Sequence, residues 1–549
     1  MMTRDLERLG AEQFDLLVIG GGIHGLAAAY DAAGRGLRVA LAERDDFGSG
    51  ASFNHQRTVH GGLRALQRAS LGRVREGIRE RRTFARIAPH YIKPFPFITG
   101  IYGGLTRGRL AMKAALRAYD AIGRKRNEGV SQELHLPTSR LETRNATMRL
   151  FPLVRQDRLK GGAVWYDYQM QQADRLTFAF ALAAEAAGAL LANHLDIVAI
   201  DRDASGRVTG ARAVDRIGGR SVTIAASQVL NATGSQAAAV AALAGVRLQV
   251  PLVRAMNVMT SRPAADIGLA APARAGRMLT LVGWRGRALI GTSQSDRLVP
   301  NDAEPPDREE ILAFIADINA AFPTLKLQPS EVTLVHHALV PAAGNGHADF
   351  KSEPELIDHG AGGGDSPAVK GFHSLIGVKY TTSRKAAEAA IDRIAAAAGR
   401  RVGGCRTARA VLPTAEIADV EAILVESARA AGLEPDALSP AIVRHLAAWY
   451  GSGTAPVIAL MKERPDLREP LSASTLVTGA EIAHAATHEQ ALRLRDAVLR
   501  RTMLGSAGHP GADAIDTAAA IMAGIHGWDA ARIAEERRLL DEVYRPLPL

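Results

Sequence analysis

The stretch "FDLLVIGGGIHG" (14–25) constrains this chain more than any other. Its apolar run ends in glycines, which predicts a buried parallel strand. Gly20-x-Gly22-x-x-Gly25 follows, then "LAAAYDAAGRG" (26–36) with helical character and "RVALAE" (38–43) as a second strand. A lone GxGxxG is weak evidence, but here it leaves a strand and opens a helix, as a dinucleotide site requires. The glycines permit a tight turn and let a pyrophosphate approach the helix N-terminus. Gly25, Ala29, Ala33 and Gly36 keep the helix close to the sheet. Glu43, ending the second strand, suits the ribose hydroxyls of an ADP moiety and repels a 2′-phosphate. Ile23, His24, Arg44 and Ser52 fall in the same turn and loop, the His24 side chain reading as a surface filler.

The chain has 549 residues, enough for two to four domains. Its one cysteine, Cys405, excludes an internal disulfide, a thiolate zinc site and an iron–sulfur cluster, and fits a reducing cytoplasm. No HExxH, paired-cysteine or calcium-loop spacing occurs, so no metal is expected. The N-terminal apolar run is too short for a secretion signal, and no stretch reaches the roughly 18 apolar residues of a membrane span.

Net charge is +10, which points to an anionic partner. The excess concentrates between Arg57 and Arg126, with 17 Lys or Arg against a handful of acids. Within it, residues 104–127 have helical spacing, with Leu110, Ala114, Ala118 and Ile122 on one side. This is either a solvated surface helix or a basic amphipathic helix for an anionic bilayer. No recognition-helix, zinc-finger or RNP pattern accompanies the charge, so nucleic acid is not an expected partner.

Further along, residues 174–191 read as one long helix. Residues 196–234 read as hairpins closing on a buried strand, "VLNATG". Strands are expected at 287–296 and 330–341, an acid-started helix at 307–322, and a hairpin with a mobile Gly-rich tip near 360–364. "GVKYTT" (377–382) is a glycine turn opening another helix, and everything past about 413 reads as helical. Three features favour FAD over NAD. They are the small-residue turn Ala232-Thr233-Gly234, the helix start at Gly377-Thr382 whose dipole suits an anionic reduced flavin, and the long β-rich insertion before the fold closes.

With these motifs in place the chain resembles the FAD-dependent glycerol-3-phosphate dehydrogenase family, collinearly over nearly its whole length. "VHGGLR" (59–64) is similar to that family's flavin-loop signature. "NATG" (231–234), "IGTSQSD" (290–296), "GVKYTTSRKAAE" (377–388) and "LRLRDAVLRRT" (492–502) follow in the family's order. The resemblance implies an α/β fold of the two-dinucleotide-binding FAD type. An interleaved β-rich, glycine-oxidase-like substrate domain and a C-terminal α-helical domain complete it. Residues 1–400 would form the oxidoreductase, with FAD-binding parts at about 12–90, 160–250 and 370–400 and insertions at about 91–159 and 251–369. Residues 401–413 would be a linker and 414–549 the helical domain.

The resemblance also implies non-covalent FAD, hydride transfer from a secondary alcohol and electron delivery to quinone at the inner face of the cytoplasmic membrane. A homodimer is compatible with it. Arg57, Thr58, His60, Gly61, Gly62, Lys379, Tyr380, Thr381 and Thr382 would join the flavin contacts, the glycines allowing close approach to the ring. His60, Lys379 and one of His336 and His337 are the catalytic candidates; the two histidines, adjacent on a strand, point to opposite faces. Arg57, Arg254, Asn257 and Lys379 are the substrate-binding candidates.

Departures from the family pattern bear on the substrate. Asn257 stands for a histidine, Arg254 for a lysine, Val340 for an arginine, Ala65 for a tyrosine and Arg57 for a lysine. A phosphate dianion uses charge-assisted hydrogen bonds of about 1.5–3 kcal/mol each. Loss of the arginine and histidine together costs about 3–6 kcal/mol, on the order of 10²–10⁴ in binding. A related enzyme for a less anionic hydroxylated or amino substrate, using oxygen or a soluble carrier, is therefore the alternative.

Overall fold

The computed structural model of the protein describes residues 2–544, apart from 69, 105–107, 274–276, 345–347, 363–366 and most of 417–437. The glycine motif sits in a six-stranded sheet ordered Glu355–Asp358, Phe372–Ile376, Val229–Asn231, Leu16–Ile19, Val39–Ala42 and Leu190–Ala192. All neighbours run parallel except the outermost Glu355–Asp358. Leu16–Ile19 is buried throughout because its two faces serve different cores. Leu16 and Val18 join the helices Ile23–Gly34, Ala173–Ala186 and Ser383–Ala397. Leu17 and Ile19 meet the antiparallel meander Leu195–Arg202, Val208–Asp215 and Ser221–Ala226. An alternating strand covered on both sides reads as an unbroken apolar run.

The helix expected over 174–191 ends at Ala186. Gly188 turns the chain at φ +95, and "LLA" (190–192) becomes the edge strand beside Val39–Ala42. A run of alanines and leucines fits either element, and the glycine decides where one gives way to the other.

A nine-stranded sheet forms the second layer, ordered Val332–Pro341, Leu252–Pro263, Arg287–Gln294, Met278–Trp284, Gly268–Pro272, Ile92–Ile101, Gly161–Met170 and Thr58–Val59, with Arg140–Glu142 beside Gly161–Met170. The region 91–159, expected as β-rich, gives the sheet the long strand Ile92–Ile101 and the short Arg140–Glu142, and otherwise carries the helices Arg109–Ile122 and Arg144–Leu150. The Gly-rich tip expected near 360–364 runs into residues outside the described ones.

From Pro440 the chain is helical, with Pro440–Tyr450, Ala455–Glu463, Gly479–His488, Ala512–His526 and Ala530–Val543 around cores that include Trp449, Tyr450, Ile482 and Met522. Arg493–Thr502 encloses a single π-helical turn, Ala497–Arg501. No helix among the described residues is long and apolar enough to cross a membrane.

Candidate dinucleotide and substrate site

A cavity of about 380 Å³ opens beyond the carboxyl ends of the parallel strands, where ligands bind in sheets of this kind. Gly20, Gly22, Ile23 and His24 form its floor. Glu43, Arg44 and Ser52 form one wall, and Ala232, Thr233 and Gly234 with Gly377 and Tyr380 form another. Gly20 adopts φ +105, and a Cβ there would lie 2.9 Å from Ala232 O. A Cβ on Gly25 would lie 1.9 Å from Gly20 O, so only glycine lets the helix start this close to the strand end. Gly25 itself does not line the cavity. Ile23 N donates to Ser52 Oγ at 2.9 Å, tying the following loop to the helix start.

The Glu43 carboxylate accepts from Gly21 N at 2.6 Å and Asp45 N at 2.7 Å. Burial pushes it up to about 7 against the pull of those two N–H groups. Thr233 donates through both N and Oγ1 to Asn231 Oδ1. A glycine floor without side chains, a helix N-terminus and an acid at the ribose position fit the ADP half of FAD.

His24 is not the surface filler expected from its place in the turn. Its Nε2 would be 2.4 Å from a Cβ on Gly377, so the imidazole packs the two glycine turns together. Burial lowers it to about 4, which keeps it neutral.

The flavin loop lies beside the cavity without lining it. His60 N donates to Thr381 Oγ1 at 3.0 Å, next to the cavity-lining Tyr380. Gly61 N donates to Asp167 Oδ1 at 2.7 Å. Burial alone would raise Asp167, but Arg81, with help from His60, holds it below the usual carboxylate range. A Cβ on Gly61 would sit 2.1 Å from Tyr119 Oη and 2.5 Å from Arg81 Nη1. The side of Gly61 where a Cβ would stand is filled by Tyr119 and Arg81. Thr58 pairs with Gln169 at the sheet edge, Gly62 follows the loop, and Thr382 precedes the helix Ser383–Ala397. Lys379 is exposed.

A buried polar cluster lies where the second sheet meets the FAD-binding part. Asn257 pairs with His336 across the strands Leu252–Pro263 and Val332–Pro341, so the two share a face. Asn54 bridges them: Asn257 Nδ2 donates to Asn54 O at 3.2 Å, and His336 Nδ1 lies 3.3 Å from Asn54 Oδ1. Thr292 Oγ1 donates to Asn257 Oδ1 at 2.8 Å. With Nδ1 donating, His336 keeps a lone pair on Nε2, which is buried without a partner. Burial, reinforced by Arg57, holds this imidazole neutral, well below its ordinary pKa.

His55 has the opposite tautomer. Its Nδ1 accepts from Arg57 N at 3.0 Å, which leaves an N–H on the unpartnered Nε2. Its ring stacks on Tyr380 at 5.0 Å, and it lines the cavity. Tyr380 Oη lies 2.9 Å from Thr177 Oγ1.

Arg57 is 0% exposed and in the left-handed region at φ +55. It pairs with Asp174 at 3.1 Å between the rings of Phe53 and Trp284. It is therefore neither a cavity-facing cation nor a flavin contact, contrary to expectation. Arg254 bonds Glu310 and Glu304 O on the opposite face of the sheet, which does not suit an anion ligand either. His337 shares that opposite face and is lowered by burial and by Arg254. Val340 lines the cavity within an apolar cluster of Val253, Ala255 and Ala342 against Val378.

The sequence assigns no role to Asn54, His55, Thr292, Asp167 or Arg81. Asn54 and His55 lie just ahead of the flavin-loop motif and Thr292 lies within "IGTSQSD", whereas Asp167 and Arg81 are defined by partners far away in the chain. Among the described residues no group of three or more His, Cys, Asp or Glu is arranged to hold a metal ion.

The family described as FAD dependent oxidoreductase matches residues 15–365, and the C-terminal domain of alpha-glycerophosphate oxidase matches 405–533. "Glycerol-3-phosphate dehydrogenase 2" of Mycobacterium tuberculosis is 32% identical over 535 residues, covering 96% of this chain and 88% of that protein. A glycerol-3-phosphate dehydrogenase of Synechocystis sp. is 29% identical over 518 residues, covering 91% and 90%. The solved structure of the glycerol-3-phosphate dehydrogenase from Bacillus halodurans complexed with FAD matches with a TM-score of 0.75 at 22% identity. That match covers 99% of this chain and 98% of the other, and shows the shared fold.

Proposed function

Because the chain belongs to the family of FAD-dependent glycerol-3-phosphate dehydrogenases, we propose that it oxidises the secondary alcohol of sn-glycerol 3-phosphate, or of a closely related polyol phosphate, to the ketone. Bound FAD supplies the hydride acceptor, and a quinone is the proposed final acceptor. The observation that carries this reading is the glycine cradle with Glu43 at its ribose end, joined in one chain to the His336–Asn257 cluster.

In this reading His336 Nε2, whose lone pair has no partner in the fold, takes the hydroxyl proton. His55 Nε2–H orients the substrate oxygen or the flavin edge. Lys379, which is exposed, supplies positive charge for the phosphate, and His60, also exposed and bonded through its backbone N–H to Thr381, stays a catalytic candidate. The oxidoreductase and helical parts are proposed to join at 401–413.

A second reading is favoured by one feature of the site. Arg57 and Arg254 are engaged by Asp174 and Glu310, and Val340 is apolar where the family pattern has arginine. That arrangement suits a less anionic hydroxylated or amino substrate, with oxygen or a soluble carrier as acceptor. Anaerobic mixing of the FAD-loaded protein with a panel of polyol phosphates, polyols and amino acids separates the two. Bleaching of the flavin by glycerol 3-phosphate supports the first reading. Bleaching only by uncharged polyols or amino acids replaces it with the second.

Association with the inner face of the cytoplasmic membrane fits the helix Arg109–Ile122. Leu110 is 84% exposed there, beside exposed Ala114 and Ala118 and the cations Arg109, Lys113 and Arg117. Co-sedimentation with phosphatidylglycerol vesicles is expected at low salt and reduced at high salt; no binding at either removes this part of the proposal.

A further inference from the structure

The motif "LRLRDAVLRRT" (492–502) has no part in the oxidation, yet it reaches the loop that closes the dinucleotide cradle. That loop, 44–53, consists of turns and bends between the ribose-end acid and the flavin loop. Asp46 lies within it and is buried. Its carboxylate accepts from Arg500 Nε at 2.6 Å, Arg501 Nη1 at 2.9 Å, Arg501 Nη2 at 2.6 Å and Asn193 Nδ2 at 2.9 Å. Arg500 also donates to Asp496 Oδ1 at 2.8 Å, and Asp496 Oδ2 lies 2.8 Å from His194 Nε2. Arg501 rests on Phe178 at 4.1 Å and donates from Nε to Glu489 O. Phe53, at the loop's far end, is buried among Leu471, Val477, Ile482 and Leu494 of the helical domain.

Both walls at the Glu43 end of the cavity depend on this node. One wall is the loop itself, through Glu43, Arg44 and the Ser52 hydroxyl that receives Ile23 N. The other is Leu195–Ile197, which directly follows Asn193 and His194, and His194 N donates to Asp45 O at 2.7 Å. Asp46, Arg500, Arg501 and Asp496 do not line the cavity.

We propose that the C-terminal helical domain retains FAD: Arg500 and Arg501, acting through Asp46, are positioning residues that hold the 44–53 loop closed over the ADP half of the cofactor. A turn-rich loop has little order of its own, whereas a carboxylate with four donors has one low-energy placement. Coupling of this kind is reciprocal, so FAD must also stabilise the 489–502 segment, which does not line its cavity.

Hydrogen exchange on the full-length protein, FAD-loaded against FAD-stripped, tests this without any mutation. Amides in 489–502 are expected to exchange at least tenfold more slowly with FAD bound, while those of the helix Ala455–Glu463 change less than twofold. Equal exchange of 489–502 in both states overturns the proposal, and so does uniform protection of the whole helical domain.

A second measurement follows FAD release into an excess of apoprotein trap. Asp46→Asn is expected to release FAD at least tenfold faster than the unmodified protein. Arg287→Met, which removes the Arg287–Ala507 contact between the same two parts away from the loop, should stay within threefold. Equal release from the two variants, or unmodified release from Asp46→Asn, overturns the proposal. If Asp46→Asn does not fold, the exchange experiment decides alone.

Discussion

The Asp46 node and the Arg57 cluster are both buried, and both pair arginine with aspartate, but they differ in how their polar atoms are satisfied. At the node every buried side-chain nitrogen and oxygen of Asp46, Arg500, Arg501 and Asp496 has a partner, while Asn193 Oδ1 beside them lacks one. At the cluster, Arg57 Nε and Nη2, Asp174 Oδ2, His55 Nε2 and His336 Nε2 are buried and unpartnered. An unmet buried polar group costs about 1–3 kcal/mol, so a fold tolerates several together where a ligand or water completes them. The difference separates a node built for holding from a cluster built for chemistry. Both belong to one chain and meet the same 44–57 segment.

The largest expected effect breaks the node. Arg501→Met leaves Asp46 short of two donors and should cost about 3–5 kcal/mol in urea unfolding. A loss below about 1 kcal/mol would remove the distinction from the cluster. Next, His336→Gln should slow anaerobic flavin reduction by about 10²–10³ while costing no more than about 1 kcal/mol of stability. A variant that loses stability and rate in equal measure would place His336 with the node.

Acid should separate the two regions in a third way. His24, lowered to about 4, and His55 and His336, held well below 6.5, are neutral in the native state. Unfolding lets each take up a proton below about pH 6.5, so the unfolded chain binds more protons and stability falls as pH falls. For His24 the loss accumulates between pH 6.5 and about 4, at about 1.4 kcal/mol per pH unit. Glu489, held down to about 2, works at lower pH: its contribution persists to about pH 4.5 and fades towards pH 2. Thermal unfolding from pH 7 to 4.5 should therefore show a slope that His24→Asn reduces; an unchanged slope would contradict the buried neutral histidine. The smallest effect is at the rim. Lys379→Met should slow flavin reduction about tenfold with an unchanged melting temperature, as expected for an exposed cation acting on charge in the reaction. Unchanged turnover would remove it from the site.

The nucleotide cradle was readable in the sequence because its determinants are local. Strand, glycine spacing, helix and Glu43 lie within a few dozen residues, and each constrains backbone geometry directly. The fold class and the helical C-terminal domain followed from motif order along the whole chain. The roles of single side chains were not readable, because partners distant in sequence set them. Arg57 is committed by Asp174, Gly61 by Tyr119 and Arg81, and His24 by Gly377. The pairing of His336 with Asn54 arises from a strand and a loop 282 positions apart.

The most direct test of the division between holding and chemistry is rapid anaerobic mixing of the FAD-loaded protein and its His336→Gln variant with sn-glycerol 3-phosphate, followed by flavin absorbance. The account predicts bleaching of the unmodified protein and bleaching at least 100-fold slower in the variant, at matched melting temperatures. Bleaching of the variant at the unmodified rate, or no bleaching of the unmodified protein by any polyol phosphate, would contradict it.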